Sequence, residues 1–289
     1  MPAGFKSIAI AGAQSAIGKA AVLALAATPG VSVLVLTRAV TARPAFLPDN
    51  VAHSGIDYAD VNATTAILQE HQVQVVIAPL NSFAIMQQIP LADAAKAAGV
   101  QLFVPSEFGT VSKGIPDVET PPYLRVKMQI ADHLQAIGLP YLRVFPGSFQ
   151  EFIYPLVGYG VNKKVNILRS LKGDTPFSVT TCDDIGGFVA HVVTHHPLAS
   201  LANKCFRIEG DRTTLNGLGA ILDAPIEKVN DVPVPEGPLT SSFVGELQTL
   251  VDKGWLNTET RFVDGDGSGG ANALWEGHHW TTLREFLKL

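Results

Sequence analysis

The sequence is poor in charge, has only two cysteines and contains no cationic run. Charged residues make up 16% of its 289 positions, with 21 Lys+Arg against 26 Asp+Glu and a net charge of −5. The longest basic run is Lys163-Lys164, and a nucleic-acid surface needs clustered positive charge, so no nucleic acid is expected as a ligand. Cys182 and Cys205 cannot make a disulfide framework and read as reduced thiols of an intracellular chain. Long apolar runs are missing too. The nearly charge-free stretch from Ile8 to Leu36 carries Lys19 and is broken by Gly12, Gly18 and Pro29-Gly30, which excludes a membrane anchor or secretory signal. A soluble, cytoplasmic protein without membrane attachment is expected. Disorder is excluded by the 47% hydrophobic content.

Several chemistries lack their residues. No Gly-x-Ser-x-Gly elbow supports a serine hydrolase. The pairs His195-His196 and His278-His279 are adjacent, not at the i, i+4 spacing that aims two imidazoles at one metal. Asp264-Gly265-Asp266-Gly267-Ser268-Gly269 starts like a calcium loop, but Trp275 stands where the bidentate Glu belongs, so it reads as a surface loop. No metal is expected.

What is present is an alternation of short apolar runs with alanine-rich helical patterns. Ser7 to Ala11 reads as a strand, Ala16 to Ala27 as a helix stopped by Pro29-Gly30, and Val31 to Leu36 as a second strand, a complete βαβ unit. Further strands are expected at Val51–Ser54, Val73–Ala78, Val100–Val104 and Tyr141–Phe145, with helices at Asn62–Glu70, Ser82–Ala98 and Pro122–Ile137. Thr120 is the expected cap of the last helix, Pro121 its first residue and Gly138 its stop. Continuous rather than alternating apolar strands imply a parallel sheet covered on both faces. The expected fold is therefore α/β, a Rossmann-like doubly wound parallel sheet spanning residues 1–150. A smaller α/β substrate-binding lobe is expected at 151–289, with strands that return to the main sheet. In that lobe Val165–Leu168 and Phe177–Thr181 read as a strand-like pair and Cys205–Glu209 as a further strand. Helices are expected at Asp183–Thr194, Leu215–Leu222, Phe243–Lys253 and Thr281–Lys288.

The first strand runs into Gly12-Ala13-Gln14-Ser15-Ala16-Ile17-Gly18. Gly12 permits a sharp turn, Gly18 permits close packing, and the helix start between them, including Gln14, Ser15 and Ile17, offers N–H groups to a pyrophosphate. Ser15 holds the place of the usual middle glycine. The second strand ends in Thr37-Arg38, where a carboxylate would suit NAD and an arginine suits the 2′-phosphate, so the expected cofactor is NADP(H), with Arg43 as a second contact.

Val104-Pro105-Ser106-Glu107-Phe108-Gly109 ends the fifth strand. With Lys127 on the next helix and Arg143-Val144-Phe145-Pro146-Gly147-Ser148-Phe149 after it, the chain resembles the isoflavone-reductase-like and NmrA-like branch of the atypical short-chain dehydrogenases. The resemblance extends through Thr181 to Gly186 and Asn203 to Asp211. It implies that Lys127 is catalytic, that Leu80, Pro105, Ser106, Glu107, Phe145 and Gly147 adjoin the cofactor, and that the later lobe supplies the substrate pocket. Tyr123, four residues before Lys127, has the spacing of the typical short-chain dehydrogenase dyad, in which an ammonium lowers a phenol pKa. Phe108, Phe149, Phe152, Tyr154 and Tyr159 are the expected pocket walls. The implied activity is NADPH-dependent reduction of a small aromatic or apolar substrate by a monomer or homodimer. The rival reading is an NADP(H)-binding redox regulator that acts through a protein partner without turnover.

Overall fold

The computed structural model describes residues 4–38, 41–113, 120–259 and 269–289. The acidic, glycine-rich stretch at 264–268 lies outside them. The first part of the chain runs β1 (Ser7–Ala11), α1 (Ala16–Ala26), β2 (Ser32–Arg38), β3 (Val51–Ile56), α2 (Val61–Glu70), β4 (Val75–Ile77), α3 (Gln88–Ala97), β5 (Leu102–Val104), α4 (Pro122–Ala136) and β6 (Leu142–Phe145). Five parallel strands pair in the order β3-β2-β1-β4-β5. A bridge between Phe103 and Tyr141 brings β6 alongside. The order reverses between β1 and β4, and such a switch point opens a crevice at the carboxyl ends of the strands.

Alternation explains the layers. Ile8, Ile10, Val33, Val35, Val75 and Ile77 face one core with α1, while Ala9, Ala11, Leu34, Leu36 and Val76 face a second with α2 and α3. Both faces are buried, so neither alternate position can be polar, which is why these strands read as continuous apolar runs.

The second part runs β7 (Ser148–Phe149), α5 (Ile153–Leu156), α6 (Tyr159–Asn162), β8 (Val165–Leu168), β9 (Phe177–Thr180), α7 (Cys182–His195), α8 (Leu198–Leu201), β10 (Lys204–Arg207), β11 (Asp211–Thr213), α9 (Gly217–Ile221), β12 (Ile226–Val229), α10 (Ser241–Asp252), β13 (Gly269–Gly270) and α11 (Leu283–Leu287). β10 pairs in parallel with β6 and with β13, so the chain returns to the sheet layer after residue 150. α7 lies against α1 so tightly that a Cβ on Gly186 would sit 2.7 Å from the Ile17 carbonyl oxygen. Two small sheets, β8 with β12 and β9 with β7 and β11, form in the part of the chain expected to make the lobe. Its core gathers Leu156, Val165, Phe177, Leu218 and Trp255. Fully buried Gln248 bonds Leu168, Leu156 and Asn166 through main-chain groups, joining α10 to that core.

The C-terminal segment is strapped to α7. The Asp184 carboxylate accepts from His278 Nε2 at 2.8 Å and from the Thr281 N–H at 3.0 Å. Trp275 stacks on His278 with centroids 3.5 Å apart and on His191 at 5.4 Å, and His191 stacks on His195 at 4.3 Å.

Four local expectations need correction. α4 begins at Pro122, with extended Pro121 as its cap residue and no capping side chain, because a residue before proline is driven out of the helical region. The helix expected from Ser82 is instead a 3-10 turn at Ile85–Gln87 followed by α3. Pro90 explains this, since its ring clashes with the carbonyl four residues upstream and it is tolerated only in a first turn. The strands at 165–168 and 177–180 do not pair with each other but with β12 and β11, respectively. The last helix starts at Leu283, where Thr282 and Glu285 form a capping box.

Candidate active site

Among the described residues no helix is long and apolar enough to cross a membrane, and no three metal-ligating side chains converge. The crevice over β1 and β4 is where the chemistry-bearing residues collect.

The glycine turn is fixed by sterics. Gly12 has φ +102°, and a Cβ there would lie 2.6 Å from the Pro79 carbonyl oxygen. A Cβ on Gly18 would lie 2.3 Å from the Gly12 carbonyl oxygen. Only glycine fits either place. Ser15 is the N-cap of α1: its hydroxyl accepts from the Gly18 N–H at 3.0 Å and donates to the Gly12 carbonyl at 2.9 Å. The first N–H groups of a helix have no intrahelical partner, so with Gly18 satisfied those of Ala16 and Ile17 remain for an anion. No acidic side chain occupies this first turn. Gln14 is exposed beside it, and the Ile17 side chain is buried in the core. The turn therefore fits a pyrophosphate through backbone alone.

Arg38 ends β2 in an exposed position, while the buried Thr37 hydroxyl is 2.8 Å from His53 Nε2. Arg43 directs its two Nη groups at the carbonyls of Val51 and Pro48, each at 2.8 Å, and so braces the loop before β3. Arg38 is thus the cation at the strand end, with Arg43 tied to the backbone.

The loop after β5 is held by polar side chains. The Ser106 hydroxyl donates to the Leu80 carbonyl at 2.8 Å, and the Ser106 N–H donates to Oε1 of fully buried Gln88 at 2.8 Å. These bonds dock the loop on the segment after β4, whose Leu80 side chain lies against Gly12. Pro105 is buried, and its carbonyl accepts from the Glu107 N–H.

Glu107 is 1% exposed and Arg143, on β6, 5% exposed. Arg143 Nε donates to Glu107 Oε1 at 2.7 Å, the Ser112 hydroxyl donates to Glu107 Oε2 at 2.8 Å, and Arg143 Nη2 donates to the Ser112 oxygen at 2.6 Å. The Glu107 side chain is spent on this closed ring, and its main-chain carbonyl accepts from the Lys127 ammonium. Burial holds the Lys127 pKa below that of a free lysine, with Arg143 acting in the same direction and Glu107 against it.

Tyr123 lies one turn before Lys127, but its surroundings push its acidity the other way. Burial, then the Glu246 carboxylate, raises its pKa, while neighbouring Thr110 opposes them. Its hydroxyl is buried without a well-formed hydrogen bond among the described residues. Phe108 is 6% exposed and packs in the core shared by β1 and α7. Fully buried Phe145 lies under the Arg143 guanidinium at 5.3 Å. Gly147 has φ +74°, and its Cβ position lies 2.3 Å from the Ser178 carbonyl oxygen, so it packs closely on β9. Phe149 is partly buried on the core shared by β1 and α7, whereas Phe152 and Tyr159 pack partly into the lobe core and exposed Tyr154 meets Tyr159 at 4.9 Å. Gln88, Ser112 and Arg143 were missed as parts of the site. Arg143 begins the Arg143–Phe149 motif, but its partner is 36 positions away and no spacing rule joins them.

A doubly wound parallel sheet with a glycine turn at its switch point defines the Rossmann-like class of dinucleotide-binding folds. The chain belongs to the NmrA-like family, whose sequence model matches residues 5–287. An asnovolin J 5′,6′-dehydrogenase of Aspergillus novofumigatus is 28% identical over 201 residues, covering 65% of this chain and 60% of that protein. Oxidoreductase BOA1 of Botryotinia fuckeliana is 27% identical over 220 residues, 71% of each chain. The structure of a leucoanthocyanidin reductase–NADPH complex from Vitis vinifera shares the fold, with TM-score 0.75 at 21% identity over 97% of both chains.

Proposed function

We propose that this protein is an NADPH-dependent oxidoreductase that reduces a small aromatic or otherwise apolar molecule. The observation that carries the reading is the Lys127 ammonium, fixed on the Glu107 carbonyl in the loop that docks against the glycine turn. Bound NADPH would supply a hydride, and the protein must supply the matching proton. A lysine whose pKa is lowered by burial is closer to the operating range of a general acid than a free one.

The turn at Gly12–Gly18 would hold the pyrophosphate and Arg38 the 2′-phosphate. The names of the relatives favour redox chemistry: a dehydrogenase, an oxidoreductase and a reductase bound to NADPH. Phe152, Tyr154 and Tyr159 offer aromatic surface on the lobe, which suits a flat apolar substrate.

The test is to mix the pure protein with NADPH and a panel of enones, benzylic ethers, ketones and imines while following NADPH absorbance. Consumption of NADPH by one panel member, lost in Lys127→Ala, is the expected result. NADPH binding without turnover of any candidate, coupled to a change in affinity for a protein partner, would replace this reading with that of a redox regulator.

A further inference from the structure

Three elements meet at Lys127: α4 carries the amine, the loop after β5 carries Glu107 and Ser112, and β6 carries Arg143. Glu107 and Arg143 are both removed from water, and a buried charge is tolerated only when paired and hydrogen-bonded. The ring described above meets that condition for the carboxylate, since Oε1 takes Arg143 Nε and Oε2 takes the Ser112 hydroxyl. Ser112 is the joint, because its single oxygen donates to the anion and accepts from the cation. Neither side chain of the pair binds the lysine directly. The lysine is met by a main-chain carbonyl that belongs to the same glutamate. Gly109 leaves the space beside the ammonium bare, with its Cβ position 3.9 Å from Nζ.

We propose, resting on the reductase reading for its purpose, that Glu107, Ser112 and Arg143 are positioning residues that fix the Lys127 ammonium by locking the strand-five loop. The closed ring neutralises two charges beside the lysine and leaves a neutral dipole as its anchor. The amine is therefore held in place without the strong salt bridge that would lock it in the charged form. Among the described residues the charged groups that act on Lys127 are Glu107 and Arg143, and Arg143 is itself faced by Tyr141 and Cys205.

The test reads the lysine itself and needs no substrate, so it stands apart from the fate of the reductase reading. Protein labelled with carbon-13 at lysine Cε is titrated by NMR, the Lys127 signal being the one lost in Lys127→Arg. Glu107→Gln should lower its midpoint and Arg143→Met should raise it, since each removes one nearby charge of known sign. The double variant should return close to wild type. Midpoints that stay put in both single variants would overturn the proposal, leaving the ring a purely structural staple. Ser112→Ala keeps both charges and serves where a charge variant does not fold. It should speed solvent exchange of the Lys127 ammonium protons several-fold, and Ser112→Thr should restore protection. An unchanged exchange rate in Ser112→Ala would equally contradict the positioning role.

Discussion

The glycine turn and the strand-five loop lie side by side at the carboxyl ends of the sheet, joined through Leu80, yet they are built by opposite means. The turn uses almost no side chain. Gly12 and Gly18 let backbone meet backbone, and Ser15 contributes one hydroxyl as a cap. The loop is held by side chains that leave water: its own Glu107 and Ser112, Arg143 of β6 and Gln88 of α3. A backbone cradle can hold a constant group such as a pyrophosphate without tuning. A proton-transfer group has to be placed and electrically adjusted, and only buried polar partners can do that. The same contrast makes Ser15 tolerant of change, since the turn's fit rests on what Gly12 and Gly18 lack, and makes the loop brittle.

The largest expected effect comes from breaking the brittle side. Glu107→Ala leaves the Arg143 guanidinium buried and unpaired, so it should cost about 3–5 kcal/mol of stability, read as a fall in the denaturant midpoint. A loss below about 1 kcal/mol would mean that the ring is not closed in solution. Lys127→Ala should lower turnover at least about a hundredfold, or roughly 3 kcal/mol, while NADPH affinity stays within a few-fold. Tyr123→Phe is the control on the same helix. It removes a hydroxyl whose acidity is suppressed by burial, so turnover should stay within about threefold. A collapse in Tyr123→Phe with Lys127→Ala still active would reverse the two roles.

A smaller effect lies behind the turn, where α7 supports α1. Burial lowers the His191 pKa to about 4, with repulsion from His195 and His196 acting the same way and a hydrogen bond to the Leu274 backbone opposing them. The unfolded chain binds this proton first as pH falls, so the contribution is complete above about pH 6.5 and is lost between there and about pH 4. After allowance for solvent screening it amounts to about 1 kcal/mol. His191→Phe should flatten the acid limb of a stability-against-pH curve by that amount; an unchanged limb would show that the ring is solvated. The smallest effect is Ser15→Gly. It supplies the usual middle glycine and should change stability by only a few tenths of a kcal/mol, whereas Ser15→Ala should cost about 1 kcal/mol.

What could be read from the sequence follows the same division. β1, α1 and β2 announce themselves because strand, turn and helix signals are contiguous and both strand faces are apolar. Gly12 and Gly18 are legible for the same reason, since their partners are neighbours in sequence or in the next βα turn. β12 is not legible: Ile226-Glu227-Lys228-Val229 is short, mostly exposed and defined only by pairing with β8, some sixty positions earlier. Gln88 and Arg143, and Ser112 on its Arg143 side, acquire their roles from contacts 18 to 36 positions away, and a one-dimensional pattern does not encode such pairings. For Glu107 the motif indicates a place beside the cofactor, and the fold adds what the motif does not show: a carboxylate paired in the interior and a carbonyl presented to Lys127.

We propose that Arg38 at the exposed strand end and the glycine turn together select NADPH. Calorimetric titration of the wild type and Arg38→Ala with NADPH and NADH tests it most directly. One charge-assisted contact to the 2′-phosphate is worth about 1.5–3 kcal/mol, so NADPH should bind at least about tenfold tighter than NADH, and the preference should vanish in Arg38→Ala. Equal affinities in the wild type, or a preference that survives the loss of Arg38, would contradict the account.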